Sequence, residues 1–188
     1  MKKAILILAI IAMTASLAVA GTLAWFTGEA SVTNTFTAGS VDVAILENGE
    51  DAGDGLLIDD FLPGDTENKK PTFQNTGNSD AYVRVTVTPS WTAADGENAL
   101  SADNVVIDYN TKDWVFSNGW YYYKDVVAGG DSTTPLFYTV TFEPGNNDND
   151  YQEATLNILI EAEAIQAENG AAADAWAGFP FDDDEGAV

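Results

Sequence analysis

The sequence predicts an all-β fold, a single antiparallel β-sandwich. Three observations carry that reading. Period-2 alternation of apolar and polar residues recurs along the body, as in Ala81-Tyr82-Val83-Arg84-Val85-Thr86-Val87-Thr88 and in Thr155 to Ala164. Turns built on Gly, Pro and Asn separate the alternating runs. Cysteine is absent, so a chain of 188 residues has to be stabilised by a buried core and not by disulfides.

Taken in order, the chain opens with Lys2 and Lys3 before an apolar run from Ala4 to Ala20. A basic start, an apolar stretch and a small-residue exit mark an export signal. Two exits are present, Ala18-Val19-Ala20 and Thr22-Leu23-Ala24. The stretch from Ala4 to Phe26 also reaches the roughly 20 apolar residues that cross a bilayer, so an uncleaved N-terminal anchor is the competing reading. No later segment is long and apolar enough to span. Residues 25–40 then form an N-terminal strand segment, apolar at Trp25, Phe26, Val32 and Phe36 with β-branched Thr33 and Thr35 between.

The sandwich is expected over residues 41–167. Val41-Asp42-Val43-Ala44-Ile45 alternates. Glu47 to Asp60 is a Gly/Asp-rich excursion, and Thr92 to Asp103 lacks alternation, suiting a loop or one short helix. In Ala81 to Thr88, Val83, Val85 and Val87 share a face. Asn118-Gly119 between Val115-Phe116 and Tyr121-Tyr122-Tyr123 is the strongest short hairpin signal. Pro63-Gly64 and Pro144-Gly145 suit type II turns, and Asn75 to Asn78 is a further loop. Leu136 to Phe142 is another strand. Thr155 to Ala164 sets Leu156, Ile158, Ile160, Ala162 and Ala164 on one face, opposite Asn157, Glu161 and Glu163. Residues 168–188 form a short acidic tail, with a helical turn around Ala171 to Trp176 and a disordered acidic end at Asp182 to Glu185.

Charge narrows the function. There are 30 acidic residues against 7 basic ones, a formal charge of −23. Nucleic-acid binding needs a basic footprint, so no nucleic-acid partner is expected. Histidine is absent as well as cysteine. A His-Glu-x-x-His zinc centre, a Cys/His nucleophile and a Ser-His triad are therefore excluded. The expectation is that the chain is not an enzyme and needs no cofactor. Two acidic loops are weak Ca²⁺ candidates, Asp51, Asp54, Asp59 and Asp60 in one and Asn146, Asp148, Asp150 and Glu153 in the other. Neither has EF-hand spacing, and a solvated acidic loop is the plainer reading. Trp120-Tyr121-Tyr122-Tyr123 could form a sugar platform, but alternation would bury two of the four.

Gly21-Thr22-Leu23-Ala24-Trp25-Phe26-Thr27, Thr33-Asn34-Thr35-Phe36-Thr37-Ala38-Gly39 and Val41-Asp42-Val43 resemble the opening of the camelysin/TasA-type exported proteins of Gram-positive bacteria. Pro63-Gly64-Asp65, Asn75-Thr76-Gly77, Asp80 to Val85, Gly119 to Lys124, Thr134 to Phe137 and Glu161 to Ala167 follow in the family's order. The resemblance implies a jelly-roll-like sandwich that assembles into extracellular biofilm matrix fibres. It implies export through a signal peptidase of the SipW kind, with residues 1–24 as signal peptide and cleavage between Ala24 and Trp25; cleavage after Ala20 is the alternative. The family also carries a metalloendopeptidase label.

Two functions stay open. In the first, the secreted chain leaves the membrane and its Trp25 to Phe36 segment fills the open sheet edge of another copy, giving a head-to-tail homopolymer. In the second, the segment folds back onto its own sheet, and the chain is a monomeric surface-associated binding module or adhesin held by an uncleaved anchor.

Overall fold

A strand that is apolar on alternate residues has to lay that side against a second layer. The computed structural model describes residues 27–30, 41–52, 55–58, 60–94, 99–145 and 148–181, and among them thirteen strands, of which the long central ones are packed in this way. They are β1 (Thr27–Ala30), β2 (Val43–Glu47), β3 (Glu50–Asp51), β4 (Gly55–Ile58), β5 (Thr66–Asn68), β6 (Pro71–Asn75) and β7 (Ala81–Thr92). β8 (Ala99–Leu100), β9 (Val105–Tyr109), β10 (Trp114–Ser117), β11 (Trp120–Tyr123), β12 (Phe137–Phe142) and β13 (Thr155–Gln166) complete the set. The expected signal peptide and most of the 25–40 segment lie outside the described residues.

One layer is a sheet in the order β1-β13-β7-β11-β10, with β4 also on β13 and β8 on β7. The other layer holds β5-β12-β9 and β3-β2-β6. Every pairing is antiparallel. The two smaller sheets are tied together by the segment entering β12: Leu136 N–H donates to Pro71 O at 3.0 Å and Thr133 N–H to Phe73 O at 2.9 Å. The all-β sandwich expected from the alternation is what the chain adopts.

The core lies between the layers. From the large sheet come Val83, Val85, Leu156, Ile158, Ile160, Ala162 and Ala164; from the other layer come Val43, Ile45, Phe73, Val140 and Phe142. Val87 is only half-buried, and β7 runs on past the predicted Thr88 to Thr92. The hairpin forms as its sequence requires. Ser117 pairs with Trp120, and Asn118 and Gly119 take φ of 48° and 86°, the double left-handed turn that matches strand twist. Gly64 at φ 96° serves the Pro63-Gly64 turn.

Alternation splits the aromatic run between two faces. Tyr121 and Tyr123 belong to the inter-layer core, while Trp120 and Tyr122 lie on the outer face of the large sheet. That outer face is covered locally. After β13 the chain forms a short helix, Ala171–Ala175, and its continuation packs Trp176, Phe179 and Phe181 with Tyr82, Tyr122 and Ile165. Residues 168–181, read from sequence as the start of a tail, are thus a strap over the sheet. Residues 182–188 lie outside the described residues.

Candidate assembly edge

β13, twelve residues long like β7, lies inside the large sheet and is paired along both of its edges. On one side it pairs with β7 through twelve residue pairs, from Thr155 opposite Thr92 to Gln166 opposite Ala81. Its other edge is filled in two pieces. β4 takes Leu156 to Leu159, and β1 takes Ala162 to Ile165, leaving Ile160 and Glu161 between them. A short strand on an edge leaves main-chain donors and acceptors that another strand can take.

The register at the β1 seat sets Thr27 opposite Ile165, Gly28 opposite Ala164, Glu29 opposite Glu163 and Ala30 opposite Ala162. Of the predicted assembly segment, only this piece is described; Trp25, Phe26, Val32 and Phe36, and the cleavage residue Ala24, lie outside the described residues. Within the protein itself the segment therefore folds back on its own sheet through residues 27–30.

Across β13 from this seat stands Arg84, opposite Glu163 in register. Its Nε donates to Glu163 Oε2 at 2.8 Å, and Nη2 completes a forked ion pair with the same carboxylate. The guanidinium lies between two indoles, 4.1 Å from the Trp120 ring and 4.5 Å from the Trp176 ring. The strap is fastened beside it: Ser117 Oγ donates to Gly178 O at 2.8 Å and Asn118 Nδ2 to Ala177 O at 3.0 Å. Sequence reasoning passed over Arg84 as one polar position in an alternating run. The signal that would have found it is the apolar outer-face pair Tyr82 and Ile165, which demands a cover.

The Ca²⁺ candidates come together only in part. Asp60 and Glu153, one from each acidic loop, line a shallow pocket with Phe61, Leu62 and Tyr151. Both have positive φ, 53° and 58°. Asp51 and Asp150 are exposed, Asp54, Asp59 and Asn146 lie outside the described residues, and so does the side chain of Asp148. Among the described residues no three carboxylates form a group that could hold a metal ion. Among them, too, no helix is long and apolar enough to cross a membrane.

A family model described as camelysin metallo-endopeptidase matches residues 1–111. No curated protein and no solved structure matches the chain. The family description corrects the expectation that the chain is not an enzyme. The missing His and Cys exclude imidazole- and thiolate-based centres, but that argument does not reach metal chemistry on oxygen ligands. The side chains described here do not themselves supply a fitting metal site, since a zinc peptidase centre draws on imidazole nitrogen and no carboxylate trio converges.

Proposed function

The chain belongs to the camelysin family, and from that premise we propose that it is a structural subunit of extracellular biofilm matrix fibres, assembled head-to-tail by donation of its N-terminal strand. Export through a dedicated signal peptidase cuts between Ala24 and Trp25. The freed segment Trp25 to Phe36 of one subunit then enters the edge of the next. Repeating a head-to-tail contact that does not close gives a filament.

The observation that carries this reading is the β1 seat. Four residues pair with Ala162 to Ile165 at an edge whose other side is a continuous twelve-residue ladder. A second copy offers the same strand to the same edge, so exchange alters which chain fills it and not which bonds are made. Removing Lys2 and Lys3 with the signal moves the formal charge by two units, from −23 to −25. Like charge opposes close approach, and salt shortens its reach to roughly 8 Å at physiological ionic strength.

The test is negative-stain microscopy of the secreted protein beside a variant lacking Trp25 to Phe36. Ordered fibres from the parent, faster with added salt, and none from the truncated form are expected. Ordered fibres from the truncated form would sink strand donation. Secreted or surface protein whose intact mass retains Met1 to Ala20 would favour the anchored adhesin instead. The family description supports a second reading, peptidase activity; casein hydrolysis that a chelator abolishes and that survives repurification would carry it.

A further inference from the structure

The large sheet ends in β10, and among the described residues no strand pairs with the outer edge of β10. Lys124 N–H donates to Asp113 O at 3.0 Å, so Asp113, Val115 and Ser117 turn their main-chain groups to β11 in the antiparallel alternation. Trp114 N–H, turned the other way, donates to Asn110 O at 3.0 Å. Phe116 then presents its N–H and C=O to the free edge. Its side chain shares the inward face with Trp114, yet Trp114 is 2% exposed and Phe116 60%. Phe116 ends a row of rings: it lies 4.8 Å from Tyr121, which stacks at 4.3 Å on Tyr109 of β9. Val105, Ile107 and Tyr109 on β9 are themselves only half-buried, so the core between the layers is open on this side. Charge also sets this edge apart. The end strands β3, β5 and β9 carry acids, Glu50 and Asp51, Glu67, and Asp108. Such residues guard an edge against pairing. β10, Trp114-Val115-Phe116-Ser117, has neither a charge nor a proline. At its head lie two of the chain's seven basic residues, Lys112 and Lys124, the latter donating from Nζ to the Thr111 and Lys112 carbonyls at 3.1 and 2.6 Å.

We propose that β10 is the contact edge for a second copy of this chain, paired antiparallel about Phe116. A chain of formal charge −23 approaches its own kind closely only where acids are absent. The edge is also self-complementary. Phe116 N–H of each copy donates to Phe116 O of the other, and the two exposed rings meet, carrying the row Tyr109-Tyr121-Phe116 across the axis. A basic partner finds no acid within β10 to reward it. A contact about a two-fold axis closes on itself, so it is distinct from a head-to-tail contact at the β1 seat, which lies at the opposite edge of the same sheet. A four-residue edge buries far less than the roughly 1,200 Å² of a stable interface, so the pairing is weak and depends on concentration.

Hydrogen exchange on the secreted chain tests it. Protection of the Phe116 amide should rise roughly threefold or more from dilute to concentrated solution, by mass action. It should stay level in Phe116→Lys, whose folding is checked by urea unfolding. Protection that ignores concentration in the parent overturns the proposal. Fibres built through the β1 seat protect Ala162 to Ile165 instead, so the two contacts are read apart. Because the chain has no cysteine, a single one reports the register. Mates at position 116 stand with Cα atoms about 5.5 Å apart, inside disulfide reach. Ser117 faces Val115 of the other copy, so its own mates lie farther apart. Under mild oxidation Phe116→Cys should give a product of twice the chain's mass roughly tenfold faster than Ser117→Cys or Glu50→Cys, each rate scaled to the thiol's alkylation rate. Equal rates at the three positions, or a Phe116→Cys product joined to a different protein, overturn the second copy as occupant.

Discussion

Along one edge β13 is paired over its whole length with β7; along the other it is paired in two four-residue pieces with a gap between. The backbone is the same, so the difference comes from what each edge brings with it. The β7 side supplies inward Val83 and Val85 beside Leu156, Ile158 and Ile160, all fully or almost fully buried. Burial of such side chains is worth about 1.5–3 kcal/mol each, and it fixes the register because a one-residue slip would turn them to solvent. The β1 side adds only four register pairs, Thr27 to Ala30 against Ile165 to Ala162. One strand can therefore carry a continuous ladder on one edge and a short, interrupted pairing on the other.

The most severe way to break that contrast is to attack the ladder. Ile158→Ala should cost about 2–5 kcal/mol in urea denaturation, from lost transfer energy and the cavity left behind. Ile158→Asp should prevent folding, since it places an unpaired charge between the layers. An Ile158→Asp variant as stable as the parent would mean that the β13 register is wrong, and with it the β1 seat.

A milder change sharpens the contrast by loosening the strap that covers Ile165. Gly178 has φ 83°, and a Cβ there would stand 2.7 Å from Asn118 Cβ. Gly178→Ala should destabilise by about 1–2 kcal/mol through left-handed strain and that clash. Its effect should be local: Trp176 fluorescence shifts toward the exposed value while urea unfolding of the core changes little. A matching loss of core stability would show that strap and sandwich unfold as one unit.

Much of the ladder was legible in the sequence, and little of the seat. Val83 to Val87 alternate cleanly, and Leu156 to Ala164 do so apart from exposed Leu159, because one side of each strand faces the core between the layers. The Asn118-Gly119 hairpin was readable because only a few residues accept that turn. β4 was missed: Leu56 and Ile58 are buried, but Leu57 between them is exposed and apolar, so no alternation shows. Asn75 read as loop residue, yet it is fully buried. Its Nδ2 donates to Ser79 O and Val127 O, and its Oδ1 accepts from Gly77 N–H. The strap escaped because Trp176, Phe179 and Phe181 follow no period, and their partners lie on three other strands. Contacts of that kind are written in no local pattern.

The smallest effect separates the acid response of the body from the behaviour of the edge. The Asp113 carboxylate accepts hydrogen bonds from Asn110 Nδ2 at 3.0 Å and from Thr134 Oγ1 at 2.9 Å. These donors, Asn110 foremost, hold its pKa below the ordinary 3.8. The folded state thus favours the charged form. The stabilisation is fully present above the unfolded value and is lost as pH falls below it, through the lower folded value. Solvent reaches this carboxylate, so the contribution is small and screened. Asp113→Asn should lower stability slightly at neutral pH and flatten the slope of stability against pH below about 4. It should leave amide protection at Ala162 to Ile165 unchanged, because Asp113 sits in the loop between β9 and β10, away from the β1 seat. A change in edge protection in Asp113→Asn would show that the seat answers to the whole body's charge.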